Sequence, residues 1–360
     1  GAAGGGRRGG AACAIGVSAE GGGAGAAGAE SAQGDGKLRY GVATAQGPRT
    51  YMEDAASVVA DAPCGYLYAG VFDGHGGASS AEYLRDNLYA RVAGLLREEG
   101  LAELVGSGES PAPTPGDNKA PVDPEDLLCP TELSGLLTRS FEEVDRALVA
   151  HLESLDEDGL SSGSTATVAL VGGGSVVVAN VGDSRAVLCR GGRAVDLSAE
   201  HRPFGPRAVS KREVARVEGA GGWVKGGRVL GVLAVSRAFG DWDFKGGAAD
   251  LLADMVDAGY ISAERAGAVE IRGDLVTATP DVTEVPLAPG DEFLVVASDG
   301  LWDVRSSAQA VQAARREMQA HGDPGRAAEA LVTLALGRGR AQDNVSVVVV
   351  DLTGVAPRAG

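Results

Sequence analysis

Apolar residues recur along this chain in short blocks that are rich in valine, alanine and leucine and bounded by glycine, a pattern typical of β-strands. Gly-rich pairs between and within these blocks predict hairpins, for example in GWVKGGRVLG. The predicted strands are RYGVATAQG, ASVVADA, YLYAGVF, STATVALVG, SVVVANVGD, RAVLCRGGRAVDL, DLVTATPDVTEVPL, EFLVVASDG and NVSVVVVDL.

Other stretches repeat their apolar residues with helical spacing. Hairpin-linked strands with long helices between the groups predict an α+β domain built in layers, because a doubly wound sheet would alternate strand and helix regularly. The predicted helices are residues 78–98, 131–155, 206–218, 306–321 and 324–337, with a partly helical, polar insertion at 243–272.

Two segments lack any such periodicity. Residues 1–36 are mostly glycine and alanine, and this composition predicts a disordered tail. Residues 106–124 are rich in proline and glycine and are predicted to form a surface loop. We do not interpret this loop as a domain boundary, because residues with candidate chemistry lie on both sides of it.

The formal net charge of −17 argues against a nucleic-acid partner and favours encounters with basic segments of other proteins. No apolar run approaches the roughly 18–20 residues that cross a bilayer, so no membrane span is predicted. The cysteines show no CxxC pair, which argues against a zinc site or a disulfide framework and favours a reducing compartment. They are Cys13, Cys64, Cys129 and Cys189.

Acidic residues stand repeatedly where a predicted strand meets a turn. A single Asp-Gly pair is more often a turn signal than a functional site. Several carboxylates gathered at strand ends, however, would raise one another's pKa unless cations compensated them, and all-oxygen clusters suit Mg²⁺ or Mn²⁺. We therefore hypothesise a two-metal hydrolytic site. The acidic residues in question are Glu53, Asp54, Asp73, Asp183, Asp241, Asp243, Asp299, Asp303 and Asp343.

The turn DGHGG follows a predicted strand, as phosphate-binding glycine loops do, but Asp73 would repel a bare phosphate. GHGGAS also departs from the GxGxxG pattern, and a nucleotide-binding oxidoreductase would leave the later aspartates without a function. In a metal site the glycines allow close approach of the backbone, and the Gly74 carbonyl can itself be a ligand.

Seven motifs together resemble the type 2C metal-dependent Ser/Thr protein phosphatases in identity and order. They are RTYMEDA, VFDGHGG, SGSTAT, VGDSRAVL, LAVSRAFGD, ASDGLWD and DNVSVVVV. The resemblance implies one catalytic domain over residues 37–354, with a short tail at 355–360. It also implies a four-layer α-β-β-α sandwich, in which two central antiparallel sheets are flanked by helices.

The resemblance further implies a set of metal ligands for two Mn²⁺ or Mg²⁺ ions. Asp73 bridges the two ions, with Glu53 and the Gly74 carbonyl on one of them and Asp299 and Asp343 on the other. A weaker third site, seen in some members of the family, would use Asp183 with Asp299 and Asp303.

The same resemblance implies the catalytic roles. A water that bridges the ions attacks phosphorus, Asp54 orients metal-bound water, and Arg49 grips the substrate phosphate as a bidentate donor. His75 protonates the departing Ser or Thr oxygen, since imidazole can donate near neutral pH. Of the remaining motif residues, His201 is assigned a structural role and Asp241 a supporting one.

The segments GVLAVSRAFGDWDFKG and GRGRAQDNVSVVVVDL, with the insertion, resemble more narrowly the thylakoid-associated antenna phosphatases of plants and algae. This resemblance implies light-harvesting antenna proteins as the phosphoprotein partner and the chloroplast stroma at the thylakoid surface as the location. A cytosolic or nuclear enzyme is the alternative, and we expect a monomer. Alternative functions are a type 2C phosphatase with another phosphoprotein substrate, hydrolysis of small phosphate esters, and a catalytically silent regulatory pseudophosphatase.

Overall fold

The computed structural model describes residues 38–60, 65–100, 132–155, 161–337 and 340–357, together with the strand backbones at 15–17 and 28–32. The predicted surface loop 106–124 lies outside these residues, as do Cys13, Cys64 and Cys129. Cys189 is a buried free thiol. No helix in these ranges combines the length and apolar content that crossing a bilayer requires.

The strands are numbered in chain order: β1 (Ile15–Val17), β2 (Gly28–Ala32), β3 (Arg39–Ala45), β4 (Ala55–Val59), β5 (Leu67–Phe72), β6 (Gly74–His75), β7 (Gly163–Ser164), β8 (Ala166–Gly172), β9 (Ser175–Val181), β10 (Arg185–Arg190), β11 (Arg193–Asp196), β12 (Val224–Lys225), β13 (Arg228–Val229), β14 (Phe239–Gly240), β15 (Asp281–Pro286), β16 (Asp291–Ala297) and β17 (Val345–Asp351).

The helices follow the same convention: α1 (Ser79–Glu98), α2 (Glu132–Leu152), α3 (Ala208–Gly219), α4 (Ala248–Asp257), α5 (Ala263–Gly267), α6 (Asp299–Trp302), α7 (Ser307–His321) and α8 (Pro324–Leu336), with a 3₁₀ turn at Trp242–Phe244.

Two six-stranded antiparallel sheets form the centre of the fold. The first has the order β1-β4-β5-β8-β9-β15 and the second the order β11-β10-β16-β17-β3-β2. Strand residues such as Val71, Val178, Leu294 and Val348 point into one apolar layer between the sheets and are almost completely buried. Burial of valine and leucine from both faces accounts for the continuous apolar runs in the sequence.

Helices cover both outer faces of this sandwich. The apolar faces of α1 and α2 pack on the first sheet through residues such as Leu88 and Phe141. The helices α7 and α8 pack on the second sheet through residues such as Val311 and Leu331. The arrangement is the predicted four-layer α-β-β-α sandwich, and that prediction is confirmed.

Several short elements lie at one end of the sandwich, where the candidate site described below is found. The two-residue strands β6, β7 and β14 form a separate small sheet in the order β14-β7-β6. The insertion predicted at 243–272 contains α4 and α5, whose residues Leu252 and Met255 share an apolar cluster with Phe244 and Leu275. This cluster attaches the insertion to the segment that carries β14.

The predicted disorder of residues 1–36 is wrong for two short segments. β1 pairs with β4 and β2 pairs with β3, so each extends an edge of a central sheet. The unpaired backbone groups of an edge strand accept any segment that can become extended, and this does not require an apolar pattern. For the other residues of the tail, the prediction lies outside the described chain.

Candidate metal centre and active site

Three aspartates from distant parts of the sequence meet at one end of the sandwich. Asp73 follows β5, Asp183 lies between β9 and β10, and Asp299 begins α6 directly after β16 and Ser298. Each offers one carboxylate oxygen within 4.8 Å of those of the other two. The strands next to these residues come from both sheets: β5 and β9 from the first and β16 from the second. The three side chains meet because the ends of β5, β9 and β16 lie at the same edge.

The carboxylates at this edge strongly oppose one another's ionisation. Burial raises the pKa of Asp73 well above its ordinary value, and the nearby charges of Asp54, Asp299, Asp183 and Asp343 raise it further. Such a cluster needs cationic charge to be fully ionised, and its donor atoms are all oxygen. The residues present therefore fit Mg²⁺ or Mn²⁺, which prefer oxygen ligands.

Asp54 lies in the layer behind this cluster. Its carboxylate is buried and accepts a hydrogen bond from the Ser298 hydroxyl at 2.7 Å. Burial raises the pKa of Asp54 to about 6. Asp54 lies beside the three-carboxylate group, and its predicted role in orienting metal-bound water stays a prediction.

The other predicted ligands are held at the rim of the cluster by Asn344. The Asn344 side chain accepts a hydrogen bond from the Glu53 N–H at 2.7 Å, and the backbone N–H of Asn344 donates to Asp343 Oδ1 at 2.8 Å. Glu53 Oε1 also accepts from the N–H of Gly77 at 2.7 Å. A Cβ on Gly74 would lie 2.4 Å from the Glu53 carbonyl oxygen, so only glycine permits this approach.

Arg202 bridges the three carboxylates predicted for a third ion. It donates to Asp183 Oδ2 at 2.8 Å, to Asp299 Oδ2 at 3.1 Å and to Asp303 Oδ1 at 2.8 Å. The predicted third-site residues are thus brought together around a guanidinium. Burial lowers the pKa of Arg202, but the charges of Asp183, Asp303, Glu200 and Asp299 outweigh it and raise this pKa above its usual range.

His75 forms a pair with Asp241 beside the cluster. The distance from His75 Nε2 to Asp241 Oδ2 is 2.9 Å, and Asp241 is buried. Burial lowers the pKa of His75, but the charge and hydrogen bond of Asp241, together with the charges of Asp183 and Glu53, outweigh it, so the net pKa is raised. A Cβ on Gly163 would lie 2.3 Å from both side chains, so glycine at this position leaves room for the pair.

The comparisons with known proteins decide the family. The sequence profile described as "Protein phosphatase 2C" matches residues 38–345. The chain belongs to the protein phosphatase 2C family. It is therefore a metal-dependent protein Ser/Thr phosphatase that uses Mn²⁺ or Mg²⁺. In the cluster described above, bound divalent ions would supply Lewis-acid activation of a phosphate ester.

Plant members of the family are similar over most of the chain. "Protein phosphatase 2C 57" of Arabidopsis thaliana is 40% identical over 306 residues, which cover 85% of this chain and 73% of that protein. "Probable protein phosphatase 2C 54" of Oryza sativa subsp. japonica is 33% identical over 321 residues, covering 86% and 72%. Among solved structures, serine-threonine phosphatase 2C from Toxoplasma gondii has a TM-score of 0.64 at 22% identity, covering 90% of this chain and 98% of that one, and this supports the fold.

Arg49 of this 2C phosphatase lies at the exposed rim of the site. Its Nη2 donates to Asp343 Oδ2 at 2.5 Å and its Nε to the Gln342 carbonyl at 3.1 Å. About half of its side chain is exposed. A guanidinium that is partly free and anchored beside a predicted metal ligand has the reach that the predicted phosphate contact requires. The contact itself stays a prediction.

A buried ion pair holds the segment that carries Asp241. Asp145 on α2 accepts from the Gly240 N–H at 2.8 Å and from Lys245 Nζ at 2.6 Å. Lys245 also donates to the Ala238 carbonyl at 3.2 Å. Asp241 itself has a left-handed backbone with φ of 50°, which costs energy for a residue other than glycine. The pair between Asp145 on α2 and Lys245 supplies contacts that maintain this conformation.

His201 has the structural position that we predicted for it. It is completely buried, its N–H donates to the Gly182 carbonyl at 2.9 Å, and its Nδ1 accepts from the Gly182 N–H at 3.2 Å. The two bonds fix the turn just before Asp183. Burial, followed by the charge of Arg237, lowers the pKa of His201 against the raising effect of Asp281.

Sequence reasoning missed the partners of the acidic residues. It assigned no role to Arg202, Asn344, Gly163 or the Asp145–Lys245 pair. Asn344 stands beside Asp343 in the DNVSVVVV motif, so the motif contained a signal for it. For Arg202 and Lys245, which lie outside any ligand pattern, the sequence contains no comparable signal.

Proposed function

We propose that this phosphatase removes phosphate from threonine residues of light-harvesting antenna proteins, at the stromal face of the thylakoid, and so contributes to state transitions. The proposal rests on the likeness of GVLAVSRAFGDWDFKG, of GRGRAQDNVSVVVVDL and of the 243–272 insertion to antenna phosphatases of plants and algae. The 40% identity to a plant 2C phosphatase is compatible with it.

One observation carries the hydrolytic part of the proposal: the Asp73, Asp183 and Asp299 carboxylates lie within 4.8 Å of one another next to a His–Asp pair. A departing serine or threonine oxygen needs a proton, because an alkoxide is a poor leaving group. In this proposal His75, which pairs with Asp241, donates that proton. Arg49 at the rim holds phosphoryl oxygens.

Charge supports a basic substrate. The chain carries a formal net charge of −17, which attracts cationic polypeptides and speeds their encounter at low salt. The phosphothreonine that we expect as substrate lies near basic residues at the N-terminus of antenna proteins. An acidic enzyme body and a basic peptide segment are therefore electrostatically complementary.

The catalytic part is tested by phosphate release from a phosphothreonine peptide in Mn²⁺. We expect no release after chelation, and a loss of at least about 10³-fold for Asp73→Asn, in the range found when a group essential to catalysis is removed. Asp257→Asn, an equivalent change at an exposed residue on α4, is the control and should keep full activity. Full turnover in chelator would contradict the metal-dependent mechanism.

The substrate part is tested by comparing two peptides with the same phosphothreonine. One has the basic N-terminal sequence of an antenna protein, and the other has its basic residues replaced by glutamine. The proposal predicts a higher kcat/KM for the basic peptide, with the difference reduced by salt. Equal values for the two peptides, or no reaction with phosphorylated antenna complexes, would show that the substrate is another phosphoprotein.

The proposed location and the proposed monomeric state have independent tests. Fractionation of chloroplasts should recover the protein with stroma or with the thylakoid surface. Sedimentation of the purified chain should give the mass of one copy at micromolar concentration. Exclusive recovery from cytosol or nuclei, or a stable dimer, would reject the respective proposal.

A further inference from the structure

We propose that a pocket beside the metal centre is a second anion site that binds a phosphate group. The pocket has a volume of about 770 Å³ and lies between the β10–β11 hairpin and the start of α7. Four arginines line it: Arg185, Arg193, Arg207 and Arg305. These side chains bring cationic charge together in a chain whose formal net charge is −17.

Two of the four arginines carry buried N–H groups without a partner. The Nε atoms of Arg185 and Arg305 are buried and make no hydrogen bond within the described part of the chain. Both residues are only 8% exposed. A buried donor without a partner costs free energy, and a ligand contact to either Nε would remove that cost.

Arg185 is fixed in place for such a contact. Its Nη1 donates to the Ser307 hydroxyl at 2.8 Å, and its Nη2 donates to Glu200 at 2.6 Å. The guanidinium also stacks on Trp302, 5.1 Å from the ring centroid. The side chain is therefore preorganised, so little conformational entropy is lost when it binds a ligand.

The first turn of α7 adds donors of a different kind. Ser306 caps this 15-residue helix, and the pocket is lined by Ser306, Ser307 and Ala308. N–H groups in a first helical turn have no partner within the helix, and the helix dipole favours negative charge there. Arginine forks and helix N–H groups together are the donor set that phosphate recognition uses.

The remaining two arginines also line the pocket. Arg193 and Arg207 are exposed. Neither side chain has an ion-pair partner among the residues that the structure describes, so both are available to an incoming anion.

The pocket also contains features that select the ligand. Asp196 Oδ1 is buried without a partner among the described residues, which favours a ligand with an N–H or O–H next to its phosphate. Asp303 lines the same pocket and accepts from Arg202, which also donates to Asp299 in the metal centre. The anion site is therefore adjacent to the catalytic cluster.

A phosphorylated polypeptide offers both a phosphate for the arginines and an N–H for Asp196, because its backbone N–H lies next to the phosphate. The second phosphate of a doubly phosphorylated substrate and a free phosphate group share this chemistry. The first source rests on the proposed function, whereas binding of inorganic phosphate does not depend on it.

The binding test uses the full chain in chelator and inorganic phosphate as the probe, measured by calorimetry. The test variant is the double substitution Arg193→Ala, Arg207→Ala, which removes two exposed side chains and leaves the core intact. We expect phosphate binding to weaken at least about tenfold in this variant, since charge-assisted contacts are lost. Arg316→Ala, an exposed arginine elsewhere on α7, is the matched control and should leave the affinity unchanged.

Unchanged phosphate affinity in the double variant would overturn the proposal, as would the absence of binding to the unsubstituted chain. Kinetics on singly and doubly phosphorylated peptides then separate the two sources. A lower KM for the doubly phosphorylated peptide, lost in the double variant, identifies the substrate as the source. Equal KM values for both peptides, with phosphate binding still lost in the double variant, identify a free phosphate group.

Discussion

His75 Nε2 lies 2.9 Å from Asp241 Oδ2, although the two residues are 166 positions apart in the chain. The space for this pair exists because residue 163, on the strand between them in the small sheet, has no side chain. The orientation of the imidazole therefore depends on a glycine and on a carboxylate, and both can be changed without altering any predicted metal ligand.

Gly163→Ala should disable the His–Asp pair while the metal cluster remains. The new Cβ would lie 2.3 Å from His75 Nε2, so the imidazole must move. We expect kcat to fall about 10²-fold, the lower end of what general acid catalysis contributes, with Mn²⁺ affinity little changed. Gly135→Ala, where a Cβ meets only a distant side-chain atom on α2, is the control for the loss of a glycine. Full activity in Gly163→Ala would show that the pair is not needed for turnover.

Asp241→Asn should move the pH dependence of the reaction. The charge of Asp241 raises the pKa of His75 against the lowering effect of burial, so its removal lowers that pKa. If protonated His75 is the acid, activity is lost as the pH rises through its pKa. The alkaline limb of kcat against pH should therefore shift to lower pH. A uniform decrease at every pH would instead indicate a purely structural role for Asp241.

Arg202→Gln should lower the free energy of unfolding in the absence of metal and increase the affinity for Mn²⁺. Arg202 compensates Asp183, Asp299 and Asp303, and its loss leaves the three carboxylates to repel one another. We expect the free energy of unfolding in chelator to fall by about 2 kcal/mol, less than for a fully buried pair.

The same variant should bind Mn²⁺ more tightly, as measured by calorimetry, because the ion no longer competes with a guanidinium. Arg272→Gln, which removes an exposed arginine paired with Glu270, is the control and should change neither quantity. Unaltered Mn²⁺ affinity in Arg202→Gln would mean that the guanidinium does not compete with any ion.

Glu213→Gln should remove an acid-sensitive part of the stability. Glu213 is buried, which raises its pKa, but two hydrogen bonds from Arg237 at 2.8 and 3.1 Å lower it to about 2 from 4.5. Because the pKa of Glu213 is lower in the folded than in the unfolded chain, its ionised carboxylate stabilises the fold above pH 4.5. This contribution is lost as the pH falls towards 2. It amounts to about 3 kcal/mol.

Thermal unfolding measured from pH 7 to pH 2 tests this prediction. The variant should be less stable at pH 7, and the difference should shrink as the pH falls. Glu270→Gln, at an exposed residue, serves as the control. Parallel curves for the variant and the unsubstituted protein would show that Glu213 does not cause the acid sensitivity.

The sequence by itself determined the layered α+β class and the positions of the acidic residues at the strand ends. Continuous valine runs with hairpin turns specify strands that are buried on both faces, as β17 is. Aspartates at the ends of those runs mark where the strands leave the core, and Gly74 marks a close backbone approach. These signals are local, because periodicity and turn chemistry depend on neighbours in the chain.

Only the tertiary structure decided which charges meet. Arg202 contacts carboxylates up to 101 positions away, His75 pairs with Asp241 across the small sheet, and the arginine pocket draws on β10, β11 and α7. Sheet order sets these contacts, and an isolated arginine or glycine in the sequence contains no record of it. The strand pairing of β2, inside a segment without an apolar pattern, has the same cause: the partner edge on β3 supplies the hydrogen bonds.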